Sequence, residues 1–508
     1  MSDGSRFVLS IDGGTESLRV GIIDETGRIV AKASSAYSTH FPHDGWAEQD
    51  PRSWWIALIE SVQSCISSSS IPIKDIEAIC LDATTCTLVT LDADDEINGP
   101  ALLWMDVRAT EESRRVEATE HPAMKYSPTG CSAEWMLCKA LWIRKHLPDR
   151  YAGTSLFLEY GDWLVHRLTG VLSVNLNIAT QRWFYNARDW KFPIDLYNEL
   201  GASDLEERIP ESIIPAGEYI GDLTNVAAND LGLVAGVPVF AGGGDAFVAS
   251  VGLGITSSGT MAMIAGSSNV FVTEAATEIH VPGIFGGFPD SIIPGLWLME
   301  AGQVSSGSIL AWYRKNFLRD LDEQDAYSIM DREAASVEEG SGGIIVLDNF
   351  QGNRSPHTDS SARGAIWGLS LGTDRAEIFR ALMEGIAYGA EQILRVFRAN
   401  DLPVPEIIAS GGATKSELYM QIISDVTGVP IRFARESDAT LVGCAVIAAT
   451  GLGWYKDLPT ASNKMVEIVG TIYPNEISHQ RYLPLIAQHA ETYKHLKELM
   501  QERERLLK

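Results

Sequence analysis

The chain has 508 residues, 45% hydrophobic and 21% charged, with a formal net charge of −27. This length exceeds one average domain, so we expect a globular protein with two large domains. The negative charge argues against nucleic acid as a partner, because a phosphate backbone requires a basic surface. Any anionic substrate must therefore be met by local donors and a metal ion.

The sequence shows no sign of membrane insertion or export. No run reaches the roughly 18 uncharged apolar residues of a membrane-spanning helix. The first six residues lead directly into a predicted strand, without the basic and apolar regions of a signal peptide. The six cysteines form no Cys-x-x-Cys pair, which favours reduced thiols over a disulfide framework or zinc site. We therefore expect a cytoplasmic protein that binds no membrane.

Residues 7–24 predict a β-hairpin with a polar, glycine-rich turn. Two largely apolar runs, 7–11 and 18–23, enclose Asp-Gly-Gly-Thr-Glu-Ser at positions 12–17. Such a turn can direct backbone and hydroxyl donors at a phosphate while Asp12 holds a cation beside it. Taken alone, the stretch is more typical of an ordinary hairpin, so the interpretation depends on motifs further along the chain.

The first half continues with an alternation of helices and strands. Asp50 is expected to cap the first helix, with Pro51 at its first position. A small polar run, 82–87, follows a buried strand. The predicted elements are a helix from Pro51 to about Ile66, strands at 76–81 and 88–91, a further strand that ends within 101–108 in a Trp/Asp/Arg cluster, and helices around 133–146 and 161–169.

A glycine run interrupts the pattern near the middle of the chain. Residues 242–244 are three glycines between a predicted strand, 237–241, and Asp245, which opens a helix-like run. This order predicts a carboxylate presented at a helix N-terminus, where the helix dipole favours negative charge.

Residues 259–272 repeat the design of the opening hairpin, with a Gly-Ser-Ser turn at 266–268. Two hairpins of one type, each beginning a half of the chain, predict two related domains. We place them at residues 1–255 and 256–508.

A third glycine-rich loop, 411–416, follows a predicted strand at 406–410 and precedes a helix through Asp425. A strand–Gly-Gly–helix turn can receive a diphosphate or ribose at the helix N-terminus. The tail from about residue 477 to 508 is charged and predicted to be helical.

Assembled in this order, the motifs resemble those of the FGGY carbohydrate kinase family over roughly residues 6–455. The imperfect match is Leu382, where a smaller or β-branched residue is usual. The matching segments are Asp12-Gly-Gly-Thr15 (first phosphate hairpin), Gly266-Ser-Ser-Asn269 (second phosphate hairpin), Gly411 to Ser416 (adenosine loop), and Gly364 to Leu369 with Glu377 to Glu384 (C-terminal signature).

The resemblance implies an α/β fold with two related ribonuclease H-like domains, of the actin/hexokinase ATPase type, flanking a cleft. It implies an enzyme that transfers the γ-phosphoryl group of ATP to a hydroxyl of a sugar, with Mg²⁺ as cofactor. The expected partners are ATP and a small sugar, with a homodimer as a possible assembly.

Within the family, several segments resemble the ribulokinase branch, which includes L-ribulokinases and D-ribulose kinases. They are Asp82 to Leu88, Trp104 to Ala109 with Val107 in place of His, Gln303, and Gly352-Asn-Arg-Ser-Pro356. The resemblance therefore implies a ketopentose substrate, with ribulose as the first expectation.

Two departures from that branch keep other sugars open. Arg182 stands where the branch usually has a substrate-binding Lys. Residues 242–245, Gly-Gly-Gly-Asp, stand where it more often has Ile-Asp-Ala-His, and they resemble xylulokinases instead. A xylulokinase, or a kinase of ribitol- or erythritol-type polyols, is the alternative.

The resemblance also assigns roles to individual residues. Asp245 is expected to be the general base, and Asp12 and Asp245 are expected to lie at the Mg²⁺ ion. The residues expected to bind ATP are Asp12, Gly14, Thr15, Ser17, Gly266, Ser267, Ser268, Gly411, Gly412, Ala413 and Ser416. The residues expected to bind the sugar are Thr85, Cys86, Asp106, Arg182, Asp245 and Glu300.

Four further residues have open roles. Asp438 and Gly443 are expected to border the purine, although a small-residue helix packs well at 439–449 without any ligand. Arg19 either adds charge at the phosphates or faces outward. Arg108 either orients Asp106 or touches the sugar.

A different class of protein shares the implied ATPase fold. Chaperones and filament proteins use it to drive partner binding, and they turn over ATP without a sugar. The sequence shows no appended region suited to binding peptides, so this alternative ranks below the kinases.

Overall fold

The first half of the chain forms a mixed β-sheet around the predicted hairpin in the computed structural model, which describes residues 6–128, 130–322 and 325–507. The strands of the first half are β1 (Phe7–Gly13), β2 (Ser17–Asp24), β3 (Ile29–Ala36), β4 (Glu48–Gln49), β5 (Ile76–Ala83), β6 (Leu88–Leu91), β7 (Ala101–Leu102), β8 (Leu156–Glu159), β9 (Val174–Asn175), β10 (Ile213–Ile214), β11 (Tyr219–Asp222) and β12 (Pro238–Gly244). The main sheet has the order β11-β12-β5-β1-β2-β3. β1 pairs antiparallel with β2 and parallel with β5, so the hairpin supplies the sheet centre.

Helices cover this sheet, and two of them begin or end as the sequence predicts. Asp50 caps the first helix by accepting a hydrogen bond from Arg52 N, and Gly170 ends the fifth with a φ of 73°. The helices of the first half are α1 (Pro51–Ser68), α2 (Thr110–Glu117), α3 (Met136–His146), α4 (Pro148–Ala152), α5 (Tyr160–Thr169), α6 (Leu176–Arg182), α7 (Ile194–Glu199), α8 (Asn225–Leu231) and α9 (Asp245–Gly252).

The second half contains a larger mixed sheet with helices around it. The strands of the second half are β13 (Met261–Ala265), β14 (Asn269–Ala275), β15 (Phe285–Pro289), β16 (Trp297–Gln303), β17 (Ile345–Leu347), β18 (Ala365–Trp367), β19 (Ile407–Ser410), β20 (Ile431–Ala434) and β21 (Ile468–Ile472). Its helices are α10 (Gly307–Phe317), α11 (Ala326–Ala335), α12 (Arg375–Ala399), α13 (Glu417–Thr427), α14 (Ala439–Gly451), α15 (Leu458–Met465) and α16 (Glu476–Leu507).

The two main sheets share one topology. The first contains the order β3-β2-β1-β5-β12, and the second contains the order β16-β14-β13-β19-β20. In each, a hairpin is followed by a third antiparallel strand on one side and two parallel strands on the other. The predicted α/β fold with two related domains is therefore confirmed.

Two helices join the halves. α14 packs on α9 and also on β1 and β5 of the first sheet. A Cβ atom at Gly443 would lie 2.0 Å from Val248 O, and one at Gly252 would lie 2.0 Å from Ala439 O. Only glycine permits such close backbone contact. Gly443 therefore serves the helix crossing, and its place beside the purine stays a prediction.

Within the described ranges, the structure contains no helix that is both long and apolar enough to cross a membrane.

Candidate active site

Three aspartates meet at one edge of the first sheet. Asp12 ends β1 and is the register partner of Asp82 at the end of β5, while Asp245 follows β12, the next parallel strand. Because parallel strands end at the same edge, their carboxylates share one site. Asp12 and Asp245 are predicted site residues. Asp82 was missed as a site residue, although an acid at a strand end next to Asp12 is a signal the sequence contains.

The glycine run brings Asp245 close to the neighbouring strand. A Cβ atom at Gly242 would lie 2.1 Å from Leu81 O, and one at Gly244 would lie 2.3 Å from Thr85 Cγ2. Gly243 has a φ of 149°, and a Cβ there would lie 2.0 Å from Asn177 Nδ2. Any residue other than glycine at positions 242, 243 or 244 would have no room for its side chain. The glycine run therefore fixes where α9 begins.

Asp245 is the first residue of α9, as predicted, and it is half-buried. Its Oδ1 accepts a hydrogen bond from Ala246 N at 2.8 Å. Burial raises the pKa of its carboxyl to about 7, and the charges of Asp12 and Glu300 act in the same direction. A carboxylate with a pKa near 7 is suited to accept a proton at neutral pH.

Asp12 connects the first hairpin to the second half of the chain. Its Oδ2 accepts a hydrogen bond from Thr440 Oγ1 at 2.7 Å, at the start of α14. Arg19 pairs with Asp12 and also donates to Asp438 Oδ1 at 3.0 Å, while Lys32 Nζ lies 2.8 Å from Asp438 Oδ2. Arg19 is therefore tied to carboxylates of both halves of the chain. Asp438 is an ion-pair partner, and its place beside the purine stays a prediction.

Several polar groups in the turn of the first hairpin form hydrogen bonds with other groups of the protein. Gly14 N donates to Ser17 O at 3.0 Å, so this amide is not directed at the cleft. Thr15 Oγ1 accepts from Trp104 Nε1 at 2.9 Å, which leaves the Thr15 hydroxyl proton able to donate elsewhere. Gln49 Nε2 fixes the turn further by donating to Thr15 O at 2.8 Å.

The second hairpin turn is anchored through its backbone. Gly266 N donates to Ser268 O at 2.9 Å, and Ser267 O accepts from Ser306 N at 2.9 Å and Ser308 N at 3.0 Å. These two amides lie at the start of α10. The side chains of Ser267 and Ser268 are exposed or partly exposed, so their hydroxyls remain open to a ligand.

The third glycine-rich loop lies against the second hairpin. Gly411 has a φ of 100°, and a Cβ there would lie 2.4 Å from Ala265 O, at the end of β13. A Cβ at Gly412 would meet nothing within 4 Å, so this backbone is open to close approach. Ser416 caps α13 by accepting from Tyr419 N at 3.1 Å. The loop thus brings Gly411, Gly412 and Ala413 to the hairpin, while the Ser416 oxygen is engaged in the helix.

Four predicted sugar residues gather beside Asp245. Arg182 Nη2 lies 3.3 Å from Thr85 Oγ1 and 3.4 Å from Glu300 Oε2, so it joins the first half to β16 of the second. The Arg182 guanidinium carbon lies 5.8 Å from the ring centre of Trp135. The Arg182 Nε has no hydrogen-bond partner among the described residues. It is therefore a buried donor available to a bound molecule.

Cys86, the fourth of these residues, is held in a strained backbone conformation. Its φ is 62°, which is unusual for a residue with a side chain. Glu159 Oε1 accepts from Cys86 N at 2.9 Å, and Lys139 Nζ donates to Cys86 O at 2.5 Å. Both side chains are buried, and burial raises the pKa of Glu159 to about 8. The sequence reasoning missed this pair, which fixes the backbone of Cys86.

Asp106 is not part of this group. Its carboxylate is fully buried, and it accepts hydrogen bonds from Ala47 N at 2.7 Å and from the Arg108 backbone and guanidinium. Arg108 is equally buried and stacks on Trp46 with its guanidinium carbon 3.7 Å from the ring centre. All of this bonding is internal, so the structure assigns Asp106 a packing role and leaves no surface of it open to a sugar.

Asp82 gives a prediction for stability. Burial, with Asp12 adding to it, raises the pKa of the Asp82 carboxyl well above its usual range. The folded chain thus binds one proton that the unfolded chain releases above about pH 4, so stability falls as pH rises toward the folded pKa. We expect Asp82→Asn to remove this slope, which amounts to about 1.4 kcal/mol per pH unit.

The measurement is the free energy of unfolding from pH 5 to 8, with EDTA and without nucleotide. Asp94→Asn, at an exposed turn position, is the control and should leave the slope unchanged. Equal slopes for the wild-type chain and Asp82→Asn would contradict the prediction.

Comparison with known proteins identifies the family and the fold. Residues 7–252 match the N-terminal domain of the FGGY family of carbohydrate kinases, and residues 261–452 match its C-terminal domain. A ribulokinase of Geobacillus thermodenitrificans is 30% identical, with 92% of this chain and 90% of that protein covered. A xylulose kinase of Staphylococcus epidermidis is 26% identical, with 97% of each covered.

The crystal structure of xylulose kinase from Rhodospirillum rubrum has the same fold, with a TM-score of 0.86 and 25% identity. The alignment covers 98% of this chain and 100% of that chain. The two family models together cover the turns of both hairpins, the third glycine-rich loop and Asp245. The chain belongs to the FGGY family of carbohydrate kinases, and it is a sugar kinase.

Proposed function

We propose that this kinase transfers the γ-phosphoryl group of ATP to a hydroxyl of a ketopentose, and that the ketopentose is ribulose. The observation that carries the proposal is the position of Asp245 between two groups of residues. The charges of Asp12 at the first hairpin and of Glu300 beside Arg182 both act on its carboxyl. A base in that position can reach a sugar hydroxyl on one side and face a phosphate on the other.

Asp245 accepts the proton of the attacking hydroxyl as the new O–P bond forms, while the bond between the γ-phosphorus and the bridging oxygen breaks and ADP leaves with that electron pair. Thr85, Arg182 and Glu300 hold the sugar so that this hydroxyl lies within hydrogen-bond reach of the base. Phosphoryl transfer needs mainly alignment and charge neutralisation, and little covalent participation by the protein. The arrangement of one base among positioning groups meets that requirement.

The nucleotide lies between the two hairpins and the third glycine loop in this proposal. Thr15 and Ser17 donate to the phosphates from the first half, and Ser267 and Ser268 donate from the second. The backbone at 411–413 receives the adenosine. Residues 1–255 then form mainly the sugar-binding and catalytic domain, and 256–508 the nucleotide-binding domain.

Residues at the three-aspartate edge suit the magnesium ion that kinases of this kind use. Mg²⁺ prefers hard oxygen ligands, and Asp12 and Asp245 supply carboxylates. Asp82 Oδ1 is buried with no hydrogen-bond partner among the described residues. When bound, the ion neutralises phosphate charge. Asp12 would hold it beside the phosphates, with Asp245 nearby.

Ribulose is favoured by segments of the sequence rather than by pocket geometry. Residues 82–88 and 352–356 resemble the ribulokinase branch, and a ribulokinase is 30% identical to the chain against 26% for a xylulose kinase. The second candidate is a xylulose or polyol kinase. It is favoured by residues 242–245 and by Arg182 in place of the usual Lys.

The test is ADP release with a panel of D- and L-ribulose, D- and L-xylulose, ribitol, erythritol and glycerol. We expect ribulose to give the highest kcat/KM. A higher kcat/KM for a xylulose or a polyol selects the second candidate. ATP turnover that no sugar stimulates would contradict both and favour an ATPase of the actin type.

A further inference from the structure

A second ion pair crosses the cleft beside Arg182 and Glu300. Glu134 lies just before α3 in the first half, and Arg354 lies in the second half. Arg354 Nη2 donates to Glu134 Oε1 at 3.1 Å and to Oε2 at 3.0 Å. The two pairs run in opposite senses, because Arg182 supplies the cation from the first half and Arg354 supplies it from the second.

Arg354 is held in a fixed relation to β16, the strand that carries Glu300. Ser355 N donates to Gly302 O at 3.1 Å, and Gly302 N donates to Ser355 Oγ at 3.3 Å. A Cβ at Gly302 would lie 3.3 Å from Arg354 Cδ, so the Arg354 side chain lies directly on this strand. The Gly352–Pro356 motif, to which the proposed mechanism gives no role, thus places one cation beside the sugar group.

Glu134 is fixed next to the same group from the other side. The following residue, Trp135, packs its ring 5.8 Å from the Arg182 guanidinium carbon. The Glu134 side chain is 21% exposed, and the Arg354 side chain is 22% exposed. A carboxylate offers about four lone-pair positions, and one guanidinium nitrogen occupies only two of them. Glu134 therefore keeps acceptor capacity for a further donor.

We propose that Glu134 is a specificity-determining residue that accepts a hydrogen bond from a hydroxyl of the acceptor sugar, and that Arg354 is its positioning residue across the cleft. This rests on the proposed function, in which the acceptor is a ketose or polyol. Recognition of that hydroxyl requires both halves of the chain, because Glu134 belongs to the first half and Arg354, which orients it, belongs to the second.

The experiment compares the wild-type enzyme with Glu134→Gln and Arg354→Lys on the best sugar of the panel and on its monodeoxy analogues. Glu134→Gln keeps the shape but replaces one acceptor oxygen by a donor. We expect it to raise KM for the sugar about 10- to 100-fold, with a smaller change in kcat and no change in KM for ATP. Arg354→Lys should raise the sugar KM less, since Lys retains the charge but not the planar fork.

The deoxy analogues separate recognition from structure. One analogue should lose about 10- to 100-fold in kcat/KM with the wild-type enzyme and little more with Glu134→Gln, because that variant has already lost the charged acceptor with which the hydroxyl interacts. A merely structural ion pair would penalise all analogues equally in both enzymes, and this result would overturn the proposal.

Glu406→Gln is the matched control. Arg432 Nη1 contacts Glu406 at the same distances of 3.1 and 3.0 Å, away from the sugar group. Glu406→Gln should leave the sugar KM unchanged. If a polyol and not ribulose proves the best substrate, the ribulose proposal fails and the comparison is made on the polyol. An unchanged sugar KM in Glu134→Gln overturns the present inference alone.

Discussion

Replacing Asp245 by asparagine is expected to lower kcat by about 10²- to 10⁴-fold, the usual contribution of a general base. Asparagine has nearly the same shape and can still accept a hydrogen bond from Ala246 N, but it cannot take a proton from the sugar. The measurement is the rate of ADP release at saturating ATP and sugar. Sugar affinity, measured by titration calorimetry, should stay within a few-fold of the wild-type value, since Thr85, Arg182 and Glu300 are untouched.

The pH profile provides a second test of the same residue. Burial raises the pKa of the Asp245 carboxyl to about 7, and only its ionised form can accept the proton. We therefore expect kcat/KM to rise as pH increases through about 7 and to level off above it. Asp94→Asn, at the exposed turn position, should keep both the rate and the profile. A near-normal kcat in Asp245→Asn would remove Asp245 from the role of base.

Replacing Gly443 by valine is expected to destabilise the protein by about 3 kcal/mol or more, at the upper end of the cost of overpacking. A Cβ there would lie 2.0 Å from Val248 O, so backbone must move rather than a flexible side chain. The movement would separate α14 from α9, whose first residue is Asp245. The measurement is the free energy of unfolding in urea, followed by tryptophan fluorescence and by loss of activity.

Gly161→Ala is the control for this effect. Gly161 is also a helical glycine, but a Cβ there would meet Ala83 Cβ at 3.5 Å, an ordinary contact. Alanine has a higher helix propensity than glycine, so this variant should match or slightly exceed the wild-type stability. Similar unfolding midpoints for Gly443→Val and the wild-type chain would show that the crossing adapts to a side chain.

Local patterns were sufficient to predict much of the fold. Both hairpins, the glycine run before Asp245 and the ends of α1 and α5 depend on residues adjacent in the chain, and they form as predicted. The strand predicted to end within 101–108, in a Trp/Asp/Arg cluster, is Ala101–Leu102, and turns follow it. Beyond this strand, Asp106 binds Arg108 and the backbone of Ala47.

Contacts between distant residues account for what the sequence could not predict. Asp438 pairs with Arg19, 419 positions away, and Arg354 pairs with Glu134, 220 positions away. An acidic residue that follows a strand has the same local sequence pattern whether it faces the cleft, as Asp245 does, or the interior, as Asp106 does. Only the packed structure distinguishes them, because burial and partners are properties of the whole fold.

The crossing of α9 and α14 has a consequence for the origin of this architecture. The two helices follow equivalent strands, β12 and β20, and one sequence offset relates Val248 to Ala439 and Gly252 to Gly443. Gly443 meets Val248, and Gly252 meets Ala439, so each contact is the counterpart of the other about a pseudo-twofold axis. This is the pattern of an isologous dimer interface, contained here in a single polypeptide. The two glycines occupy equivalent positions in the two halves, and only α9 begins with the aspartate of the site.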